Sequence, residues 1–573
     1  MLPLRKRWQI ANRLPPETDK LLDSYPPILR QILYNRGYAT PEKASAYLEA
    51  RPPEGTDPLS MLGMSEAVAR LEIALQRGES MAVYGDYDVD GVTATALLVE
   101  AFKPLGARVR AYIPNRFDEG YGLNREALET LKEEGTDLVI TVDCGIRSPA
   151  EAEYARQIGL DLIISDHHHP GDELPEAVAV INPRQPGDAY PDKDLAGVGL
   201  AYKILSVLLA TRSQASQSPP GEGGAESYLD LVALGTVADL APLVGENRAL
   251  VRAGINQLHK PVRQGVRSLM AIAGVQAERL RATDIGFMLG PRLNAAGRID
   301  TALDALALLT TKDVQVAGRL AQQLDVQNRE RQSITRDIQE HAEQAALAAE
   351  ADPLILFAAH PDYNPGVVGL AASRLTDQYY RPAIVAQRGE EFTRGSCRSI
   401  SEFHITEALD QCADLLEHYG GHAAAAGFTV KNENLPELIQ RLREIASQQL
   451  SPHDLRPTMV ADAEMNLLDL KPDLLDYLER LQPTGYGNRQ ALFVSRDVQV
   501  MAWRAVGKDG DHLKLTVSDG WITFDAIAFR QGYWQDLLPP KIDLMYTFEL
   551  NEYKGRSALQ LNVRDIKPAG MPD

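Results

Sequence analysis

Three aspartates at alternate positions, Asp86, Asp88 and Asp90, follow the short apolar run of residues 81–84 and precede a glycine. The run predicts a strand, and V-T-A-T-A-L-L-V-E-A-F after the glycine predicts a helix. The acids then lie at the carboxyl end of a strand, where open α/β sheets bind their ligands. Carboxylates this close raise one another's pKa unless a cation lies between them. The pattern therefore predicts a divalent metal site.

Two further strand-like runs also end in side chains that bind metals. Asp143 ends D-L-V-I-T-V-D, and the sequence D-H-H-H, with His167 and His168, follows L-I-I-S. Because parallel strands of one sheet end at the same edge, we expect these groups to meet there. Asp239 ends L-D-L-V-A-L-G-T-V-A-D, a predicted buried helix, where a lone carboxylate is costly unless it is paired or bound to a metal.

The predicted metal ligands are carboxylates and an imidazole, with no thiolate. They are Asp86, Asp88, Asp90, Asp143, His167 and Asp239. Such a set suits manganese or magnesium better than a structural zinc, and so many carboxylates favour two ions about 3.5 to 4 Å apart. A calcium loop of the EF-hand type is disfavoured, because its C-terminal bidentate glutamate is missing. The chemistry predicted is two-metal hydrolysis of a phosphoester.

Composition limits the class of protein and its partners. The net charge of −20 argues against coating nucleic acid by bulk attraction, so an anionic substrate has to be held by individual arginines and metals. The three cysteines form no C-x-x-C pair, which indicates a reducing compartment. No apolar run approaches the roughly 18 residues that span a bilayer, and the first residues lack the apolar core of a signal peptide. A cytoplasmic protein without a membrane partner is expected.

The chain of 573 residues is too long for one core, and its patterns predict five parts. A helical segment (residues 1–60) precedes a parallel sheet with helices on both faces (61–310), a long helix (311–350), a smaller α/β domain (351–450) and an antiparallel β-barrel (451–573). In the barrel, Trp503, Trp521, Phe529 and Lys514 could form a stacking surface for single strands. The alternative, which we favour for most of these aromatics, is the barrel core.

The motifs G-D-Y-D-V-D-G, V-D-C-G, D-H-H and G-T-V-A-D-L together resemble the metal motifs of the DHH phosphoesterase family. The resemblance covers nearly the whole chain. It implies that residues 61–310 are a DHH catalytic domain, that 351–450, with G-G-H-A-A-A-A-G-F, are the DHH-associated domain, and that 451–573 are an OB-fold. The most similar branch consists of exonucleases of DNA repair and recombination. They degrade single-stranded DNA from the 5′ end to mononucleotides, with manganese or magnesium.

The resemblance also implies a role for individual residues. The implied catalytic set is Asp88, Asp90, Asp143, His167, His168 and Asp239, in which His168 lies beside the scissile phosphate. The implied substrate-binding set is Arg116, Asn294, Arg298, Ser396, Arg398 and His422. Within it Ser396 and Arg398 hold the 5′ phosphate with help from Arg116, Asn294 and Arg298 touch the strand near the cleaved bond, and His422 faces it. Arginine suits phosphate because its planar fork binds two oxygens at once.

One position departs from the family pattern. Many DHH enzymes have a histidine where this chain has Tyr84, four residues before Asp88. We therefore expect one protein ligand fewer at the first metal site, and it stays open whether Asp86 compensates.

Two rival functions remain. Shorter relatives cleave short oligoribonucleotides, cyclic dinucleotides or pyrophosphate, but they lack the OB-fold that favours a long single strand. A catalytically silent scaffold would have lost metal ligands that this chain retains. A monomer that works with a single-strand-binding protein and a helicase is the expectation for partners.

Overall fold

The computed structural model describes residues 5–115, 122–216, 224–299, 301–350, 352–450, 455–553 and 556–571. The chain divides into two compact units. The parallel-sheet unit comprises Pro15–Asn328 and Asp476–Gln490, and the barrel unit comprises Met1–Leu14, Arg329–Leu475 and Ala491–Asp573. The division into five parts made from the sequence remains a prediction. Over the described ranges, we find no helix with the length and apolar character that crossing a membrane requires.

The N-terminal segment contains three short helices: α1 (Pro16–Leu21), α2 (Pro27–Asn35) and α3 (Pro41–Glu49). Each begins with proline, whose fixed φ suits the first turn of a helix and whose missing N–H has no partner there anyway. The segment is not wholly helical as predicted, because β1 (Arg7–Ile10) precedes the helices and pairs in parallel with Thr458–Ala461. Four residues are too few to show a strand period in the sequence.

The predicted parallel sheet is present in the parallel-sheet unit. Its strands are β2 (Ser80–Gly85), β3 (Arg108–Tyr112), β4 (Leu138–Val142), β5 (Asp161–Ser165) and β6 (Ala179–Ile181), in the spatial order β3-β2-β4-β5-β6. Successive side chains of β2 enter different cores: Met81 and Val83 pack into one apolar cluster, and Ala82 and Tyr84 into another. The sheet is therefore buried on both faces, as parallel sheets are.

Over the described ranges from residue 61 to residue 350, twelve α-helices cover the sheet or follow it. They are α4 (Met64–Arg77), α5 (Val89–Phe102), α6 (Arg125–Glu133), α7 (Pro149–Gln157), α8 (Gly197–Ser216), α9 (Leu229–Ala238), α10 (Gly245–Leu258), α11 (Gln264–Ala273), α12 (Ala282–Asp284), α13 (Gly290–Ile299), α14 (Leu303–Thr310) and α15 (Val314–Ala349). A π-helix, Ile285–Leu289, lies between α12 and α13. The long helix is confirmed as α15, with 36 residues, and the boundary between the two units falls within it, after Asn328.

The barrel unit contains a second sheet, of strands β7 (Leu356–His360), β8 (Ala383–Arg388), β9 (Phe392–Arg398), β10 (Leu416–His422) and β11 (Ala425–Lys431). Their spatial order is β10-β11-β9-β8-β7, and only β7 and β8 pair in parallel. The helices of this part are α16 (Val368–Tyr379), α17 (Ile405–Asp410) and α18 (Leu435–Gln449). This is the smaller α/β arrangement expected from the sequence.

The C-terminal barrel follows. Its segment contains β12 (Thr458–Ala461), β13 (Ala463–Glu464), α19 (Pro472–Glu479), β14 (Phe493–Val506), β15 (His512–Ser518), β16 (Thr523–Ala528), β17 (Lys541–Tyr553) and β18 (Arg556–Pro568). The order β14-β15-β16-β18-β17 closes through a pairing of β17 with β14, and β16 pairs with β18 in parallel. The barrel is thus confirmed, with one parallel pair. The core prediction is wrong for Trp503, Trp521 and Phe529, because each is more than half exposed.

A buried arginine explains why the segment Asp476–Gln490 belongs to the parallel-sheet unit. Arg248, on α10, is fully buried and donates hydrogen bonds to four carbonyl oxygens: those of Tyr47 (3.1 Å), Arg480 (3.2 Å), Leu481 (2.9 Å) and Pro483 (3.0 Å). Its guanidinium carbon lies 4.2 Å from the centre of the Tyr47 ring. One planar cation therefore joins three chain segments, because its fork reaches several acceptors at once.

We predict that Arg248→Lys lowers the free energy of unfolding by about 3 kcal/mol in urea denaturation, because an ammonium cannot satisfy all four buried carbonyl groups. The matched control is Arg252→Lys on the same helix, where the arginine donates to the carbonyl of Leu48 at 2.7 Å and is half-buried. The control should lose less than about 1 kcal/mol. Equal losses in the two variants would show that Arg248 has no special part in joining these segments.

Candidate metal centre

The first three carboxylates are positioned by the turn between β2 and α5. Asp88 is the N-cap of α5, and its carboxylate accepts hydrogen bonds from the backbone N–H groups of Asp90 (2.9 Å) and Gly91 (3.2 Å). A Cβ on Gly91 would lie 2.4 Å from the carbonyl oxygen of Asp86, so this turn requires glycine. The alternating acids therefore converge at the carboxyl edge of the sheet, as the sequence predicted.

Asp90 is fully buried and is held by the start of α8. Its two carboxylate oxygens accept from the N–H groups of Gly197 (2.7 Å) and Val198 (2.8 Å). A Cβ on Gly197 would lie 2.8 Å from the Cβ of Asp143, so glycine is what allows α8 to approach both acids. These amides were not predicted from the sequence, in which the pair of glycines in A-G-V-G was the only signal.

Asp143 and His167 meet at the ends of β4 and β5. Asp143 has a φ of 63°, a left-handed conformation that aspartate adopts more readily than most residues. The Nε2 atom of His167 lies 3.0 Å from a carboxylate oxygen of Asp143, 3.7 Å from one of Asp239 and 3.9 Å from one of Asp90. Four segments far apart in sequence thus supply groups to one place.

The ligand atoms form three overlapping groups of three, two of which have no residue in common. In each group the atoms lie within 4.8 Å of one another: Asp86, Asp88 and Asp143 in the first, and Asp90, His167 and Asp239 in the second. Asp143 also groups with His167 and His168, so it links the two sets. An oxygen of Asp143 and the Nε2 of His167 are buried without a hydrogen bond among the described residues. A pair of divalent cations, each held by one group of three, fits this donor set.

The electrostatics point the same way. Burial, and then the charge of Asp88, raise the pKa of Asp90 to about 7. Burial and the neighbouring carboxylates raise the pKa of Asp143 and of Asp239 well above the usual range. Burial, and then His168, lower the pKa of His167 to about 3, so its imidazole is neutral at pH 7, the form that binds metals. Cations would relieve the repulsion among these carboxylates.

His168 is oriented by Asp166. The Nδ1 atom of His168 lies 2.7 Å from a carboxylate oxygen of Asp166, and the backbone N–H of His168 donates to the same oxygen at 3.1 Å. The other oxygen of Asp166 accepts from the N–H of Ile146 at 2.9 Å. Burial lowers the pKa of His168, but the hydrogen bond to Asp166 outweighs it and leaves the pKa raised. Asp166 therefore orients the ring of His168, a role that the sequence did not reveal.

Tyr84 takes no part in the cluster. Its hydroxyl donates to the carbonyl oxygen of Gly122 at 2.9 Å and accepts from Asn124 at 3.1 Å, while its ring stacks on Tyr112 with centroids 5.1 Å apart. Tyr84 is therefore a core residue at the position where the resemblance implies a histidine. That this leaves one ligand fewer remains a prediction.

Two of the substrate-binding candidates lie on α13. The side-chain oxygen of Asn294 accepts from the N–H of Val89 at 3.1 Å, which places it at the first turn of α5. Arg298 follows one turn later and is half-buried. Arg116 lies outside the described residues. Asn294 is thus next to the metal ligands that cap and begin α5.

The other candidates lie in the barrel unit. The guanidinium of Arg398 donates to the hydroxyl of Ser396 at 3.3 Å. A Cβ on Gly369, near the start of α16, would lie 2.8 Å from that hydroxyl oxygen and 3.1 Å from an Arg398 nitrogen. Both side chains therefore face the N-terminus of a helix. Ala425 of β11 pairs with His422 of β10 on one side and with Arg398 of β9 on the other. At normal strand spacing the backbones of His422 and Arg398 are therefore about 10 Å apart.

We predict a pH effect in the metal-free protein. Because the folded state raises the pKa of Asp239 above its usual value of about 4, the folded state binds a proton that the unfolded chain has released. This group's contribution to stability should thus fall as the pH rises above about 4. In urea denaturation with chelator, Asp239→Asn should lose less stability over that range than the wild type. Saturating Mn²⁺ should restore the wild type at the upper pH.

The exposed Asp172→Asn, with a carboxylate outside the cluster, is the control and should follow the wild type. If Asp239→Asn followed it as well, the cluster would not be the source of the repulsion.

Three family models match the chain. The DHH family, N-terminal domain, matches residues 80–236, the DHHA1 domain matches residues 352–448 and the RecJ OB domain matches residues 461–565. These matches contain the parallel sheet, the second sheet and most of the barrel.

Curated proteins named single-stranded-DNA-specific exonuclease RecJ are similar over nearly the whole chain. The one from Bacillus subtilis (strain 168) is 37% identical, over 99% of this chain and 71% of its own length. The one from Escherichia coli (strain K12) is 34% identical, over 99% of this chain and 100% of its own length.

Solved structures agree. The structure of RecJ in complex with Mn²⁺ from Thermus thermophilus has a TM-score of 0.83 at 30% identity, over 99% of this chain and 80% of that one. The complex with Mg²⁺ from the same organism has a TM-score of 0.78 at 29% identity, over 99% and 79%. The fold of this chain is thus the fold of proteins whose structures contain these two ions.

Proposed function

The chain belongs to the RecJ family of single-stranded-DNA-specific exonucleases, and we propose that it degrades single-stranded DNA from the 5′ end to 5′-mononucleotides, using two manganese or magnesium ions, in DNA repair and recombination. One observation supports this most: carboxylates and an imidazole from separate strand and helix ends form two groups of three. Oxygen-rich groups of this kind are the ligands that two-metal nucleases use.

The proposal assigns each group to one ion. Asp86, Asp88 and Asp143 would hold the first, and Asp90, His167 and Asp239 the second. When bound, such a pair supplies an activated water and neutralises the phosphate oxygens. The buried amides of Gly197 and Val198 fix Asp90, so its position does not depend on the ions.

In the reaction, a water oxygen bonds to the phosphorus and the bond from phosphorus to the 3′ oxygen breaks. The 3′ oxygen leaves with a proton, as the hydroxyl of the released nucleotide. His168 is suited to supply that proton, because its Nδ1 is bonded to Asp166 and this bond favours the charged ring, which carries a proton on Nε2 as well. A proton donor lowers the activation barrier only if it is held in the right position. Asp166 holds His168 there and is itself held by the backbone N–H of Ile146.

Direction along the strand is the second part of the proposal. A 5′-terminal phosphate carries more charge than the phosphates within a strand, and Arg398, Ser396 and the amides at the start of α16 offer it a cation and several donors. Arg116 would assist them. Asn294, Arg298 and His422 would contact the rest of the strand.

The barrel favours a long substrate over short oligoribonucleotides or cyclic dinucleotides. Trp503, Trp521 and Phe529 are exposed on it, and exposed aromatic side chains stack with bases of any sequence. The retained ligand groups count against a silent scaffold. We also propose that the protein is cytoplasmic, which its three unpaired cysteines favour. That it is a monomer that works with a single-strand-binding protein and a helicase rests on the family alone.

The test is time-resolved digestion of single-stranded DNA, double-stranded DNA and RNA labelled at either end, with Mn²⁺, Mg²⁺ or chelator. We predict that single-stranded DNA loses its 5′ label first and only with metal. Asp143→Ala, with an unchanged circular dichroism spectrum, should lower the rate by about a thousandfold or more, because the first group loses one of its three ligands and its link to His167. Arg398→Gln should lower kcat/KM about tenfold or more for 5′-phosphorylated strands and much less for 5′-hydroxyl strands.

The matched control is Arg394→Gln, an exposed arginine on the same strand, β9, which should keep the preference for a 5′ phosphate. Release of the 3′ label first would refute the direction. Hydrolysis by Asp143→Ala, or in chelator, would refute the metal mechanism.

A further inference from the structure

A leucine occupies a position that usually requires glycine, beside a metal ligand. Helix α9 ends with the N–H of Leu240 bonded to the carbonyl of Val237 (3.3 Å) and the N–H of Ala241 bonded to that of Thr236 (3.2 Å). This is the Schellman motif, whose left-handed residue is most often glycine. Leu240 has a φ of 61°, so its side chain strains the backbone.

The fold gives no reason for that side chain. Leu240 is 67% exposed, so it buries little apolar surface. Helix α3 ends in the same motif, with the N–H of Ala50 bonded to Tyr47 and that of Arg51 bonded to Ala46, and there the left-handed residue has only a methyl group. A strained residue that does not stabilise its own fold indicates a role in function.

Its surroundings are apolar as well as acidic. Leu240 directly follows Asp239, whose carboxylate lies 3.7 Å from the Nε2 of His167. Phe287 is 79% exposed on the π-helix that packs against α9, and Tyr486, whose carbonyl accepts from the N–H of Leu243 at 2.8 Å, is 64% exposed. Large exposed apolar side chains on segments that adjoin a functional site often mark a binding surface.

We propose that Leu240 packs against the nucleobase of the terminal nucleotide and so positions it for hydrolysis. This inference rests on the proposed function. The phosphate oxygens of a nucleotide are bound by cations and arginines. Its base has two apolar faces, which the carboxylates of the metal cluster cannot bind. Leu240 is a large apolar side chain that is exposed and directly follows one of those ligands, Asp239. Because every base has such a face, the contact favours no sequence.

The experiment compares two 5′-phosphorylated single strands, one with a normal terminal nucleotide and one in which that nucleotide is abasic. With the normal strand, Leu240→Gly should lower kcat/KM about tenfold, about 1.4 kcal/mol of transition-state binding. With the abasic strand it should change little. Leu240→Asn, which tolerates the left-handed conformation but is polar, should behave like Leu240→Gly, and Leu240→Met should keep most of the activity.

Two further measurements separate contact from structure. Glycine relieves the backbone strain, so the melting temperature of Leu240→Gly should not fall, and its Mn²⁺ affinity by calorimetry should equal that of the wild type. The matched control is Ala50→Gly, which alters the same motif at α3 and should leave both substrates unaffected.

If Leu240→Gly cleaved the normal strand as fast as the wild type does, the inference would be overturned. So would an equal loss on both strands, since the leucine would then act without the base. An inactive wild type would instead refute the proposed function, which the two-strand comparison keeps separate.

Discussion

Mutual repulsion among buried carboxylates is the constraint on which this structure depends. Asp90 and Asp143 are almost wholly inaccessible to water, and Asp86, Asp88 and Asp239 lie around them. An isolated carboxylate buried in this way would take up a proton, because burial disfavours its charged form. The raised pKa values of Asp90, Asp143 and Asp239 reflect this tendency. The cluster is therefore stable as a set of anions only with counter-cations. The same feature that destabilises the bare protein makes it a strong binder of metal ions.

The rest of the parallel-sheet unit holds this costly cluster in place. Parallel strands bring their ends to one edge, and glycines at positions 91 and 197 let backbone amides come within hydrogen-bonding distance of the acids. Unlike Asp90 and Asp143, the buried Asp166 has a lowered pKa, because its hydrogen bond to His168 and the charge of that ring outweigh the effect of burial. That contrast separates two roles among the acids. Those with raised pKa values are suited to cations, and Asp166 orients a proton donor.

The sequence was informative where chemistry and topology coincide. Asp86, Asp143 and His167 could be assigned to one edge because each follows an apolar run, and parallel strands must share an edge. It could not show contacts made by the backbone, such as the amides that hold Asp90, since any residue can supply an N–H. Nor could it show that β1 pairs with a segment more than 400 residues away, or that Trp503 is exposed, since strand period alone does not give the side of a barrel on which an aromatic lies. Leu240 was missed because its strain depends on φ, which hydropathy does not report.

The proposed mechanism requires that this cluster hold two divalent ions, with Asp143 among the ligands of the first. Its most direct test is electron paramagnetic resonance of the Mn²⁺-loaded protein, with calorimetry for stoichiometry. We predict two bound ions with the spectrum of a spin-coupled pair, and the loss of that coupling in Asp143→Ala. A single bound ion, or two uncoupled ions in the wild type, would contradict it.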